Sequence, residues 1–591
     1  MLRRKLIGAL VIYAFILPVA ALGQAAAPAP EGQVYAAPKA DIDKIKDEGL
    51  NRSQIMQTMT WLTDVNGPRL TGSPGLKRAN EWTRDTLAKW GLQNARLEAW
   101  GPFGRGWTLK RFSAMVDGPV AFPLIAYPKA WSPGTDTLFP APAAAVKPKK
   151  GQAPAPAAPA STAYTAEVVH FNATNEAELE QYKGKLKGKI VLVGPMRPTP
   201  AHFAPQASRA TDEELLNMAN APDPASVQRP QQQAFTPPAN FQQQMRFNAM
   251  RTRFLIDEGS AILVDAGRGD GGTIFVQGAQ SVPAAGAPAT NANGTPARPA
   301  PAYSKDAIVP IQFSAAAEHF NRVARMLDAG EKVTMTVDLA VEFQDEDLNS
   351  YNTVAEIPGT DLKDEIVMLG GHLDSWQGGT GATDNAAGCA VMMEAVRILK
   401  SAGLTPRRTI RIALWTGEEQ GLIGSRAYVK QHFGYFGDGT APAFGGGGNR
   451  GPLTKLPEYE KFSSYYNIDN GTGKVRGVYL QGNEAVRPIF RKWLEAFKDP
   501  KWFGNSIDMS ASTLTLSNTG GTDHLSFDAI GLPGFQFIQD EMEYSSRTHH
   551  SNMDVLDRIQ PDDMKQMAII LAAFVYQSAM MEGKIPRKPA P

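Results

Sequence analysis

The sequence has a single cysteine and almost no net charge, and each of these shortages excludes a class of protein. Its 591 residues include 60 Lys and Arg against 59 Asp and Glu, which leaves a net charge of +1. One cysteine excludes a disulfide framework and a thiolate zinc cluster. A near-neutral chain also lacks the basic field that drives nucleic-acid binding. Any bound metal must therefore be held by His, Asp and Glu side chains.

Long apolar runs are equally scarce. The longest, residues 6–22, follows a basic start and ends in small residues that fit a cleavage site before Gln24. This layout is typical of a secretory signal peptide over residues 1–23, and the run is short for a membrane anchor. We therefore expect an exported protein, periplasmic or secreted, that has no membrane attachment after signal cleavage.

Proline is unevenly distributed and indicates the domain organisation. Of the 44 prolines, 24 lie between Pro119 and Pro301, in low-complexity tracts that cannot pack a core. Strand-like runs separate these tracts, at 166–171, 189–193, 261–265, 274–277, 308–313 and 333–343. We predict a flexible leader at 24–40 and a β-rich accessory domain at 115–340. This domain would be inserted between two parts of a second domain, 41–114 and 341–585.

The second domain alternates strands and helices. Helical spacing of apolar residues predicts a helix at 74–90, and further helices at 385–401, 421–433, 484–498 and 562–581. Strands are predicted between them, at 365–370, 409–415, 463–468 and 534–538. Such alternation favours an α/β fold with a mainly parallel, helix-covered central sheet.

Acidic residues and histidines recur where these strands end. They fall in five short segments: 371–375 (His372, Asp374), 383–388 (Asp384), 416–421 (Glu418, Glu419), 467–471 (Asp469) and 544–554 (His549, His550, Asp554). Taken singly, each segment also fits a hydrogen-bonded loop histidine, a helix cap or a solvated acidic turn. Together they offer only oxygen and imidazole donors, at the edge where α/β domains bind ligands. The joint pattern favours two zinc sites with three protein ligands each.

These five segments, in this order, resemble the di-zinc exopeptidases of metallopeptidase family twenty-eight. The loop at 67–75 resembles the N-terminal segment of that family, and residues 182–193 and 258–263 resemble the protease-associated domain that many members carry. The resemblance implies a three-layer zinc-exopeptidase domain with an inserted protease-associated domain. It also implies an exported enzyme that hydrolyses peptide bonds of short peptides or dipeptides.

The resemblance further implies a role for each matching residue. Asp384 would bridge two zinc ions, and the Asp384-Asn385 peptide would be cis. One zinc ion would also bind Glu419 and His550, chosen over His549 because Asp554 follows it by four positions. The other would bind the remaining two ligands, His372 and Asp469. Glu418 would be the general base for the attacking water, and Asp374 would orient His372.

Several points stay open at this stage. His524 and, less strongly, Tyr544 are candidates to contact the oxyanion or the substrate terminus. An aminopeptidase needs an acidic or carbonyl group for the free amine, such as Glu541 or Glu543, whereas a carboxypeptidase or dipeptidase needs a cation for the carboxylate, such as Arg547. A one-zinc glutaminyl cyclase and a non-catalytic receptor-like protein are the alternatives in other classes. The sequence also leaves room for a homodimer. The lone Cys389 is expected in the core.

Overall fold

The computed structural model describes residues 34–139, 162–224, 241–284, 299–437, 451–498 and 507–588. The predicted signal peptide at 1–23 and most of the predicted leader lie outside these ranges. Among the described residues, no helix combines the length and the apolarity that crossing a bilayer requires. From Tyr35 onward the chain forms one unit.

Strands make up two large sheets and one small hairpin. In chain order the strands of the described residues are β1 (Gln93–Trp100), β2 (Gly106–Gly118), β3 (Phe122–Pro123), β4 (Ala126–Pro128), β5 (Tyr164–Phe171), β6 (Ile190–Val193), β7 (Ile262–Ala266), β8 (Ile311–Ala315), β9 (Thr334–Gln344), β10 (Ser350–Ile357), β11 (Leu362–His372), β12 (Arg408–Trp415), β13 (Gly434–Phe436), β14 (Leu453–Lys455), β15 (Phe462–Asn467), β16 (Val475–Tyr479), β17 (Thr513–Thr515) and β18 (Gly534–Gln539).

The α-helices of the described residues cluster mostly around the first large sheet. They are α1 (Lys39–Asn51), α2 (Ile55–Thr60), α3 (Pro74–Lys89), α4 (Asp212–Ala219), α5 (Phe241–Asp257), α6 (Ala317–Asp328), α7 (Ala387–Ser401), α8 (Ile423–His432), α9 (Arg487–Leu494), α10 (His524–Asp528) and α11 (Pro561–Met580).

The first large sheet has the strand order β1-β10-β12-β11-β15-β18-β16-β17. Its four central strands, β12, β11, β15 and β18, run parallel, whereas antiparallel pairs join β1, β10 and β16 to this centre. Helices α7 and α11 are buried almost all round, as expected of helices enclosed between a sheet and other helices. The predicted α/β fold class, with parallel strands at the centre of the sheet, is confirmed.

The predicted helices and strands of this sheet are found, with shifted ends. Helix α8 begins at Ile423 rather than 421, because Leu422 has a left-handed φ of 59°. Only the middle of the helix predicted at 484–498 is α-helical, and 3₁₀ turns flank it. The strands β1, β10, β16 and β17 were not predicted, since none of them lies in a strand-helix repeat.

The second large sheet has the order β3-β2-β9-β5-β6-β7-β8-β4, and its centre is also parallel. It extends from Gly106 to Gln344, beyond both ends of the predicted accessory domain, whose boundaries stay a prediction. The strand predicted at 274–277 is wrong. This segment forms only isolated bridges, with Phe275 opposite Arg268 and opposite Ser551. It leaves the second sheet to contact the loop that precedes α11.

Candidate active site

The carboxyl ends of the four central parallel strands meet at one edge of the first sheet, and the candidate residues lie there. His372 is the last residue of β11. Glu418 and Glu419 follow β12, and Asp469 follows β15. His550 lies in the segment between β18 and α11. Parallel topology therefore brings together side chains that are far apart in sequence.

Three of the predicted metal ligands form a buried group around His372. Its Nε2 lies 3.2 Å from Asp384 Oδ1 and 3.2 Å from Asp469 Oδ1. One ligand atom from each of these three residues lies within 4.8 Å of the other two. This is a spacing that a single metal ion can bridge.

His550 occupies the other side of Asp384. Its Nε2 lies 3.2 Å from Asp384 Oδ2 and 2.9 Å from Glu419 Oε2. His549 is more exposed, at 43% against 19%, and its Nε2 is 3.8 Å from Asp384 Oδ2. A metal ion could still reach His549 together with Asp384 and His550. The geometry favours His550, because it alone of the two histidines also contacts Glu419.

The donor set fits a cationic ligand. Asp384 Oδ2 and Glu419 Oε1 are buried and have no hydrogen-bond partner among the described residues. Burying carboxylate oxygens without partners costs several kcal/mol unless a cation or a proton compensates. Two imidazoles and three carboxylates that converge on one point are the ligand types that zinc prefers where thiolates are lacking.

Burial and mutual charge shift the pKa values of these groups. Burial raises the pKa of Glu418 well above its usual range, despite the opposing effect of His372, and raises that of Glu419 to about 7, to which the charge of Asp384 also contributes. Burial alone would raise the pKa of Asp384, but the adjacent imidazoles of His372 and His550 hold it well below its usual range. The pKa values of the two glutamates are thus raised, whereas that of Asp384 is lowered.

Asp374 contacts more than the ring of His372. His372 Nδ1 lies 3.0 Å from the main-chain oxygen of Asp374 and 3.6 Å from its carboxylate. The carboxylate accepts hydrogen bonds from the main-chain N–H groups of Glu418 and Glu419, both at 3.3 Å, and from Thr71 Oγ1 at 2.9 Å. The expected side-chain bond to the ring is thus replaced by a main-chain bond, and the Asp374 carboxylate holds the turn of the two glutamates.

That turn also depends on Gly417. Its φ is +75°, and a Cβ there would lie 2.6 Å from the Trp100 ring. A side chain at this position would therefore move the glutamates or the tryptophan. Trp100 is itself fixed by a hydrogen bond from Nε1 to Thr416 Oγ1 at 2.9 Å.

Asp384 lies in the turn Ala382–Ala386 immediately before α7, where its φ of −131° and ψ of 87° are not helical. The Asp384-Asn385 peptide is cis, as expected. The buried carboxylate of Asp554 accepts hydrogen bonds from the main-chain N–H groups of Thr383 at 2.6 Å and of Asp384 at 3.2 Å. Asp554 therefore positions the turn that presents Asp384.

Arg69 was not identified from the sequence as a site residue, although its loop matched the family pattern. Its fully buried guanidinium donates hydrogen bonds to four main-chain oxygens. These belong to Leu373 at 2.6 Å, Leu62 at 2.8 Å, Thr380 at 2.8 Å and Gly381 at 2.9 Å. Arg69 thereby ties the residue after His372 to the loop before Asp384. The sequence signal that could have identified Arg69 was its position as a cation in a glycine- and proline-rich loop.

The substrate-contact candidates have different surroundings. His524 is buried at the start of α10, contacts Gln481, and lies 3.2 Å from the Thr519 oxygen. Burial lowers the pKa of His524 to about 4, so its ring is neutral near pH 7. Tyr544 stacks on His549 at 4.6 Å between ring centres. Burial and the charge of Asp384 raise the pKa of Tyr544 well above its usual range.

The three candidates for binding a substrate terminus also differ. Arg547 donates to Gln206 at 2.9 Å, and Glu543 lies 3.2 Å from Arg558. Glu541 lines a cavity of about 120 Å³ that Thr383, the neighbour of Asp384, also lines, and the paired Glu543 and Arg558 belong to the same lining. An acidic group therefore lies in a cavity beside the metal-ligand cluster.

Known proteins share both the motif region and the fold. Residues 352–575 match the model of Peptidase family M28. Carboxypeptidase Q from Mus musculus is 30% identical over 270 residues, 46% of this chain and 50% of that protein. Leupeptin-inactivating enzyme 1 from Streptomyces exfoliatus is 40% identical over 184 residues, 31% of this chain and 34% of that protein. This chain thus spans half or less of the length of these curated relatives.

A solved structure extends the likeness of fold to most of the chain. The crystal structure of a Peptidase M28 precursor from Shewanella amazonensis has a TM-score of 0.57 and 20% identity, and the match covers 93% of this chain and 99% of that one. The family match contains all five predicted metal ligands. The resemblance indicated by the sequence motifs is confirmed: residues 352–575 of this chain match Peptidase family M28.

Proposed function

We propose that this chain is a zinc-dependent exopeptidase that hydrolyses peptide bonds of short peptides and holds two zinc ions. One observation carries the proposal. Asp384 directs Oδ1 toward His372 and Oδ2 toward His550, each at 3.2 Å, inside a domain of Peptidase family M28. A carboxylate with a histidine at each oxygen is suited to join two metal sites.

The residues present divide into two ligand sets that share Asp384. His372 and Asp469 complete one set, and Glu419 and His550 complete the other. Three protein ligands for each ion leave coordination positions for water and substrate. Bound zinc would lower the pKa of a coordinated water toward neutrality and polarise the peptide carbonyl.

Glu418 is the proposed general base. Its Oε2 lies 3.9 Å from His372 Nε2, and its side chain is only 10% exposed. Burial raises its pKa, which suits a group that accepts a proton from the attacking water and returns it to the leaving amine. Asp374 holds the Glu418 main chain, and we assign it a positioning role. The neutral His524 and Tyr544 remain the candidates for contact with substrate.

The free amino terminus of a short peptide is the proposed recognition element. Glu541 is exposed and lines the cavity beside Thr383, whereas Arg547 is hydrogen bonded to Gln206. This arrangement favours an aminopeptidase. A carboxypeptidase is the second candidate, because the relative that aligns over 270 residues is named carboxypeptidase Q.

Two measurements test the proposal. A library of dipeptides, free or blocked at either terminus, should be hydrolysed only when the amine is free. Glu418→Gln should keep the metal content and lose at least about 100-fold in kcat, and the exposed Glu331→Gln is the matched control. Full activity of Glu418→Gln would contradict the base assignment. Cleavage that needs a free carboxylate instead would favour the carboxypeptidase.

Zinc stoichiometry separates the classes of function. Two ions per chain support the peptidase, one ion supports a glutaminyl cyclase, and none supports a binding protein without catalysis.

We also propose that the protein is exported with removal of residues 1–23. N-terminal sequencing of the secreted or periplasmic protein, with Gln24 expected as the first residue, tests this. Light scattering of that material tests the homodimer.

A further inference from the structure

A segment of the inserted region runs alongside the metal-ligand loop of the peptidase domain. Val276 N–H donates to the main-chain oxygen of His550 at 2.9 Å, and Phe275 forms a bridge with Ser551. Two hydrogen bonds join Ile274 and Asn552. The Ile274 N–H donates to the Asn552 side-chain oxygen at 2.7 Å, and the Asn552 N–H donates to the Ile274 main-chain oxygen at 3.1 Å. The segment 274–277 therefore pairs with the His550 loop instead of continuing its own sheet.

This pairing holds His550 in a backbone conformation that it would not adopt readily. His550 has a φ of 59°, in the left-handed region that residues with a Cβ seldom occupy. Such a conformation persists only when the surroundings fix it. The N–H of Val276 supplies one such contact, directly at the His550 carbonyl.

The ring of His550 also contacts the same segment. The side-chain nitrogen Nε2 of Gln277 lies 3.1 Å from His550 Nδ1, while His550 Nε2 faces Asp384 and Glu419. A histidine that binds a metal through Nε2 keeps its proton on Nδ1 and needs an acceptor there. Rotating the Gln277 amide by 180° about its last side-chain bond exchanges Nε2 for Oε1 and places an acceptor at that distance from the Nδ1 proton.

Gln277 is well placed for this task. Its main-chain oxygen accepts from Ala130 N–H at 3.1 Å and from the Gln377 side chain at 3.3 Å. The amide is exposed, so it can be replaced without opening the core. The backbone is thus anchored on both domains, and the side chain meets a single metal-ligand candidate.

We infer that Gln277, contributed by the inserted region, is a positioning residue for His550 that accepts its Nδ1 proton and fixes the ring toward one of the two metal positions. The inference rests on the proposed two-zinc function. It gives the inserted region a direct part in one metal site, through a residue 273 positions from the ligand it orients.

Zinc affinity of the full-length, metal-free protein tests this role. Gln277→Met keeps the length of the side chain and removes the acceptor, whereas Gln277→Glu retains an acceptor. Gln280→Met, an exposed glutamine three residues further along, is the matched control. Chelator competition would measure both zinc dissociation constants, and thermal unfolding of the metal-free forms would check that each variant folds.

In Gln277→Met, one zinc dissociation constant should rise by about 10–100-fold and the other should stay unchanged. Gln277→Glu and Gln280→Met should both bind zinc at least as tightly as the unaltered protein. The inference would be overturned if both zinc dissociation constants of Gln277→Met equalled those of the unaltered protein. It would also be overturned if Gln277→Met and Gln277→Glu weakened zinc binding equally. If the unaltered protein itself failed to bind two zinc ions, the two-zinc proposal would fall, and the inference with it.

Discussion

Arg69 offers a sharp test of how the candidate site is held together. Its guanidinium donates to four main-chain oxygens, three of which flank the candidate ligand His372 and the turn of Asp384. Arg69→Met has a similar length and no donors. The variant would remove all four hydrogen bonds while removing the cost of burying a charge, and the Gly381 oxygen would keep its bond from Ala386 N–H at 3.0 Å.

The expected loss follows from these bonds. A buried acceptor left without a partner costs about 1–3 kcal/mol, and neighbouring losses are not additive. Taking the lower limit for each of the other three oxygens gives a loss of about 3 kcal/mol in the free energy of unfolding. Arg69→Lys should lose roughly half of that, because an ammonium group cannot reach four oxygens that diverge around a planar guanidinium.

Urea denaturation of the metal-free protein, followed by circular dichroism, would measure the loss. Arg84→Met is the control, since Arg84 forms an exposed ion pair with the adjacent Asp85 at 2.7 Å and should change the free energy by less than about 1 kcal/mol. Zinc uptake should weaken in Arg69→Met as well. A loss below about 1 kcal/mol, with unchanged zinc uptake, would refute the reasoning.

Three further predictions concern other residues. Asp384→Asn should lower the zinc content from two ions per chain toward none, as measured by metal analysis, because both ligand sets share Asp384; retention of one tight site would contradict the bridging role. Burial lowers the pKa of His432, but the carboxylates of Glu458 and Glu98 raise it to about 9, above the usual 6.5. The protonated ring therefore stabilises the fold by up to about 3 kcal/mol below pH 6.5, and this contribution is lost as the pH rises through 9. Urea titrations at several pH values should show a flatter profile for His432→Gln over that window, and identical profiles would contradict the pairing. Burial raises the pKa of Cys389 to about 12, so a thiol reagent at about pH 8 should label the chain only after unfolding; labelling of the native protein would contradict its burial.

Much of the site could be predicted because strand ends and ligand types are local signals. The motifs around His372, Asp384, Glu419 and Asp469 follow elements that periodicity identifies, and parallel topology brings such ends to one edge. The choice of His550 needed the spacing to Asp554, whose observed role is to hold the turn of Asp384.

The remainder depends on contacts that no local pattern reports. A strand-like run at 274–277 predicts a strand by composition alone, yet its hydrogen bonds go to the His550 loop. The strands β10 and β16 were missed for a related reason. They join the sheet through antiparallel pairs that lie outside the strand-helix alternation.

Under the two-zinc proposal, the two metal positions would therefore depend on different parts of the molecule. The group around His372 is fully enclosed, and Arg69 and Asp374 hold its surroundings from within the peptidase domain. His550 is partly exposed, has a left-handed backbone, and relies on Val276 and Gln277 of the inserted region. A candidate ligand that makes few contacts within its own domain depends more strongly on contacts from a neighbouring segment. Disturbing the inserted segment should consequently weaken one metal site before it affects the other.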